Sequence, residues 1–162
     1  MSRATVRSSV ATYFAPPKVT GLNTVFTSMP KRAIGSDFRK NVTPGTLSTA
    51  IGVVHLDSES EARIAYGGEF SGKKMVRYQV SLDVYSFSLE PHAEDAMTFF
   101  DSVIDGIKTS LRNDRRLGNY PIIFEAGEGS LNGVYGEPAL QQDGSVSIWG
   151  RVVFEVSEVL TT

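Results

Sequence analysis

Between Met75 and Phe87 apolar and polar residues alternate without a break, and this alternation constrains the fold more than any other feature. Val76, Tyr78, Val80, Leu82 and Val84 fall on one side of an extended chain, and Arg77, Gln79, Ser81 and Asp83 on the other. Such a segment is a half-buried antiparallel strand, about 40 Å long if all of it is extended. A second run near the C-terminus has the same period, with Val146, Ile148, Val152, Phe154 and Val156 on one side. Two long strands, each apolar on one side only, need a common cover.

The main piece of that cover lies between them. Pro91 suits a first helical turn, and Glu90, Glu94 and Asp95 suit the positive end of a helix dipole. Met97, Phe100, Val103, Ile104, Ile107 and Leu111 then share one helical face. Arg112, Arg115 and Arg116 load the far end, and Gly118 ends it. A first helix is expected at the N-terminus, capped by Ser2, with Val6, Val10, Tyr13 and Phe14 as its apolar face and Pro16-Pro17 as its stop. Short strands are expected at Thr24–Thr27, Ala50–Leu56 and Ile122–Ala126. Arg63–Tyr66 is expected to pair back across an acidic tip, Asp57-Ser-Glu-Ser-Glu61. Gly127–Gly136 reads as a turn-rich loop, and Met29–Ser48 as a long irregular stretch with two Pro and two Gly. The expected fold is therefore α+β: an antiparallel or mixed β-sheet with two α-helices packed on one face, in a single domain over residues 1–162.

Composition narrows the function classes. The chain has 162 residues, 41% hydrophobic and 21% charged, which excludes disorder, collagen and a coiled coil. It has no Cys, hence no disulfide framework, thiolate metal site or cysteine nucleophile. The formal charge of −2 gives no reason to expect nucleic-acid binding from bulk electrostatics. That balance hides an asymmetry. Residues 1–40 hold seven basic groups (Arg3, Arg7, Lys18, Lys31, Arg32, Arg39, Lys40) and one acid (Asp37), a net of +6. The other 122 residues hold nine basic and seventeen acidic groups, a net of −8. The opening segment MSRATVRSSVATYFAPP does not read as a secretory signal, and no run approaches the roughly 18 apolar residues of a membrane span. A soluble protein folding in a reducing compartment is expected.

Catalytic motifs are hard to place. The two histidines are His55, read as a solvated hairpin end beside Asp57, Glu59 and Glu61, and His92, read as an exposed first-turn residue. No Gly-x-Ser-x-Gly elbow accompanies either one. Gly67-Gly-Glu-Phe-Ser-Gly72-Lys73-Lys74 approaches a phosphate loop, but Lys74 stands where a magnesium-binding hydroxyl belongs and a strand follows where a helix should. Gly127-Glu-Gly129-Ser-Leu-Asn-Gly133 departs from a dinucleotide loop at Asn132, and Gly136 and Pro138 oppose a following helix. Both read as turns. No paired carboxylates are brought into an apolar pocket. The expectation is no enzyme, no metal and no cofactor.

Several stretches, in order, resemble the tail-terminator (tail-completion) proteins of long-tailed bacteriophages, especially phages of actinobacteria. They are Thr24-VFTSMPKR-Ala33, then Gly72-KKMVRYQVSLDVYSFSLEPHAEDAMTFFDSVIDGIKTSLRNDRRLG, FEAGEG (124–129) and RVVFEVSEVL (151–160). The resemblance implies an α+β structural subunit of a homo-oligomeric ring, commonly a hexamer. The ring sits on the last ring of the tail tube, ends tube growth and meets the head-completion or neck protein, while double-stranded DNA passes through without sequence reading. It implies a place in the virion, at the head-proximal end of the tail, after assembly in the host cytoplasm. The long Met29–Ser48 stretch departs from compact members of the family. A ring needs heterologous interfaces, so the basic residues Lys31, Arg32, Arg39 and Lys40 are expected to meet acidic surface on a neighbouring subunit, with Asp57, Glu59 and Glu61 as one candidate. A neck or head-completion ring protein, and a monomeric ligand-binding α+β domain, are the alternatives.

Overall fold

The alternating segment is the centre of the sheet. In the computed structural model, which describes residues 2–29, 47–66, 72–114, 116, 123–124 and 131–161, it forms a strand spanning Gly72–Ser88. The chain order is α1 (Arg3–Tyr13), β1 (Leu22–Phe26), β2 (Ser48–Tyr66), β3 (Gly72–Ser88), α2 (Ala93–Asn113), β4 (Ile123–Phe124), β5 (Asn132–Tyr135), β6 (Ala139–Leu140) and β7 (Val146–Thr161). β3 pairs antiparallel with β2 on one side and with β7 on the other, in both cases along almost its whole length. β1 adds to β2 in parallel, from Leu22↔Ala50 to Phe26↔Val53. Beyond β7, the short strands β6, β5 and β4 follow one another along a single lane, all antiparallel to it. The sheet is therefore mixed and the fold is α+β, as the alternation and helix pattern predict.

The apolar side of β3 meets Gly150, Val152, Phe154 and Val156 of β7 and Ala50, Val54 and Leu56 of β2. Both helices cover this side. Ser2 caps α1 by accepting a hydrogen bond from the Thr5 amide at 3.2 Å, and Val6, Val10 and Phe14 are fully buried. In α2, Ala96, Phe100, Val103, Ile104, Ile107 and Leu111 are buried. Met97, expected on that face, is instead partly exposed, and Ala96 takes the buried place. The helices touch through the Tyr13 hydroxyl, which donates to the Ser110 carbonyl at 3.0 Å. The Phe14 and Phe154 rings pack edge to face with centroids 6.4 Å apart.

Several expected boundaries move. The acidic segment Asp57–Glu61 is no tip: β2 continues through it without turning, and Arg63–Tyr66 is the end of the same strand. An extra residue at Asp57 interrupts the ladder between Leu56↔Val80 and Ser58↔Gln79, and a second irregularity falls between Arg63 and Ala65. Asp, Ser and Glu are poor strand formers, so propensity pointed to a turn where cross-strand pairing holds the chain extended. Pro91 precedes the His92 cap of α2 instead of lying in its first turn, and the helix ends at Asn113. Arg115 and Gly118 lie outside the described residues, as do 30–46 of the irregular stretch and 67–71 of the first glycine-rich turn. Within the second, Asn132–Tyr135 is strand, because its backbone bonds to β7 from Val153 to Gly150.

At Gly150 the sheet and α2 approach closely. A Cβ there would stand 2.5 Å from Cζ of the buried Phe100, 3.2 Å from Tyr135 Cδ1 and 3.3 Å from the Val134 carbonyl oxygen. Gly150→Ala is expected to destabilise the protein by about 1–3 kcal/mol through overpacking. A urea titration checks this, with a lower midpoint at unchanged slope as the expected result.

Candidate interaction surfaces

The bulge at Asp57 decides where the acidic residues point. Before it, even-numbered residues of β2 share the helix-covered side. After it, Glu59 stands opposite Tyr78 and Glu61 opposite Val76, so odd-numbered residues take that side. Asp57 lies on the other side, where it accepts a hydrogen bond from the Ser81 hydroxyl at 2.7 Å. The three acidic residues thus do not form one cluster. Glu59 lies 3.8 Å from the Arg3 guanidinium and Glu61 3.4 Å from the Lys74 ammonium. Lys31, Arg32, Arg39 and Lys40 lie outside the described residues. His55 shares a side with Asp57 and not with Glu59 and Glu61. His92 is the exposed cap residue of α2, with no side-chain capping bond.

The side away from the helices carries an ion pair between Asp83 and Arg151. Asp83 is buried. The Arg151 guanidinium grips it with two bonds, Nε to Oδ1 at 2.6 Å and Nη2 to Oδ2 at 2.9 Å. These residues are direct cross-strand partners, and this bonding raises the Arg151 pKa. His55 Nε2 approaches the same carboxylate at 3.4 Å. Arg77 likewise pairs inside the sheet, 3.8 Å from Glu155. The signal for the Asp83–Arg151 pair was present as one charge on the polar side of each alternating strand. Only the register, Val84 on Gly150 and Leu82 on Val152, makes them neighbours.

Beside this pair, α1 packs against β2 and a pocket of about 470 Å³ opens, lined by Arg3, Arg7, His55, Leu56, Asp57 and Arg151. Arg3 and Arg7 are one helical turn apart in the N-terminal part of α1, whose first turn holds no acid. The helix dipole disfavours Arg3 in the first turn, and like-charge repulsion disfavours the pair by about 0.2–0.5 kcal/mol. On the opposite face of the sheet, the buried Tyr78 hydroxyl donates to Glu158 at 2.8 Å. Burial, that bond and the nearby carboxylates of Glu158, Glu59 and Glu61 push the Tyr78 pKa well up. Burial also raises Tyr13, with help from the Asp114 carboxylate, to about 12. Among the described residues no group of three or more His, Asp or Glu side chains is placed to hold a metal ion. Comparison with protein-family models finds no match, and comparison with curated proteins finds none either.

Two outcomes follow from these contacts. Asp83→Asn preserves volume but removes the carboxylate, and it is expected to cost about 1.5–3 kcal/mol. The lower end of the buried-pair range applies because Arg151 is half exposed and can hydrate; differential denaturation against the parent checks this. The tyrosines make stability fall in alkali. Below pH 10, their ordinary value, folded and unfolded chains are both protonated and the contribution is complete. From pH 10 toward 12 the unfolded chain gives up protons that Tyr13 and Tyr78 retain when folded. The slope approaches about 1.4 kcal/mol per pH unit for each of them. Urea midpoints from pH 8 to 11 should decline, and Tyr78→Phe should flatten the decline.

Proposed function

We propose that the chain is a structural subunit of a tail-terminator ring of a long-tailed bacteriophage. The ring caps the tail tube, ends its polymerisation and offers a surface to the head-completion or neck protein. Double-stranded DNA passes through its centre without sequence reading. In this reading the subunit performs no chemical step, assembles in the host cytoplasm and ends in the virion at the head-proximal end of the tail.

The observation that carries the reading is the long ribbon of β2, β3 and β7. β3 is 17 residues long and α2 is 21. At about 3.3 Å and 1.5 Å per residue the strand outruns the helix by roughly 25 Å. Among the described residues, β2 beyond Val53 pairs only with β3, so one margin of the ribbon is an edge, carrying Asp57, Glu59, Glu61 and Arg63. Charged residues keep such an edge from indiscriminate pairing. The opposite margin of the sheet is the interrupted lane of β4, β5 and β6. A subunit with two unlike margins suits the heterologous contacts of a closed ring. The ordered resemblance across most of the sequence supports the same reading.

Native mass spectrometry of the chain alone and with its tube protein is the test. Rings that bind tube ends and limit tube length are expected. A 17.6 kDa species persisting at high concentration with tube protein present would overturn the reading in favour of a monomeric ligand-binding domain. Co-purification with portal in place of tube protein would assign the chain to the neck. Lys31→Glu combined with Arg32→Glu is expected to weaken ring assembly at low salt, read by light scattering; unchanged assembly would remove the basic segment from the interface.

A further inference from the structure

We propose that the pocket between α1 and the bulged part of β2 binds a phosphate-type oxyanion. Three guanidinium groups (Arg3, Arg7 and Arg151) and the His55 ring line it, against one carboxylate, Asp57. Its volume of about 470 Å³ falls within the range of roughly 300–1,000 Å³ usual for small-molecule sites, enough for a phosphate and the group it esterifies. Two carboxylates stand behind the lining, and each is already engaged. Asp83 is gripped by Nε and Nη2 of Arg151, which leaves Nη1 of that fork to a ligand. Glu59 holds Arg3 only loosely, at 3.8 Å. Asp57 is engaged by the Ser81 hydroxyl.

Arg7 is the centre of the argument. It is half-buried, and among the described residues its side chain makes no hydrogen bond or ion pair. A half-buried arginine with no protein partner among the described residues, one turn from a second arginine near the positive end of a helix, is held against its own electrostatics. An oxyanion between Arg3, Arg7 and Arg151 offsets the like-charge repulsion of an i, i+4 arginine pair, and planar forks match phosphate oxygens in pairs.

Trp149 provides the readout. It is the only tryptophan in the chain, and the Arg151 guanidinium carbon lies 5.7 Å from its ring centroid. Sodium phosphate is titrated at constant ionic strength balanced with sodium chloride, and Trp149 emission is followed. A saturating change is expected, half-complete at millimolar phosphate or below. Arg7→Ala is expected to weaken it by about tenfold or more, the loss of one charge-assisted contact, and Arg7→Lys by an intermediate amount because the charge remains and the fork is lost. Circular dichroism confirms folding of each variant. Should Arg7→Ala fail to fold, the exposed Arg3→Ala and Arg7→Lys provide the comparison. An unsaturable response equal to that of chloride, or one unchanged in these variants, overturns the proposal. A short DNA duplex run in competition separates the sources: displacement of phosphate assigns the site to a phosphodiester backbone, and its failure to displace assigns it to free phosphate or a small ester.

Discussion

β3 is hydrogen-bonded on both sides along nearly all of its length, and every other element takes its position from that strand. Its partners β2 and β7 inherit its register, and the register determines which of their residues face the helices. Gly150 falls opposite Val84, which opens room for the Phe100 ring. Arg151 falls opposite Asp83 on the other side. A slip of one residue would put the arginine under α2 and the aliphatic row of β7 on the side away from the helices. Such a slip is excluded by the burial of a continuous row of Val, Leu, Tyr and Phe side chains, each contributing on the order of 1.5–3 kcal/mol.

Polar groups divide along the same line. On the helix side, Tyr78 and Glu158 satisfy one another where the core thins toward the end of the ribbon. On the side away from the helices, Asp83 and Arg151 meet in a fork geometry that leaves few buried bonds unmade. No buried side-chain polar atom among the described residues lacks a partner. Arg7 stands apart from this pairing, and Arg3 meets Glu59 only at 3.8 Å. The N-terminal excess of positive charge therefore reaches beyond the basic stretch around residues 31–40, into a helix that packs against the sheet.

Much of the fold was legible because period carries so much information. Alternation marked β3 and β7, and a 3.6-residue period marked both helices to within a few residues. The Ser2 cap was readable from one hydroxyl ahead of an apolar row. The acidic segment of β2 was misread because local composition and tertiary pairing disagree there. Asp-Ser-Glu-Ser-Glu has neither strand propensity nor an apolar row, and its extended form comes from bonds to β3, far away in sequence. Asn132–Tyr135 escaped notice for the same reason, being strand only because β7 offers it an edge. The pocket was not legible at all. Arg3, Arg7, His55 and Arg151 come from three distant segments, and the register that gathers them is a property of the assembled sheet.

The two irregularities in β2 behave like a shift of reading frame and its suppressor. The extra residue at Asp57 inverts the odd–even phase of β2 against β3, and the second, before Ala65, restores it. Only the stretch between them is out of phase, and it is the stretch that carries Glu59 and Glu61. Closing either irregularity alone, with the sequence unchanged, would flip every later residue of β2 to the other side, whereas closing both would carry Glu59 and Glu61 across and leave Ala65 and Tyr66 on the sides they hold. Deletion of the extra residue is a different event: Ser58 already stands opposite Gln79 and Leu56 opposite Val80, so this strand can lose one residue at Asp57 without moving any other residue to the other face.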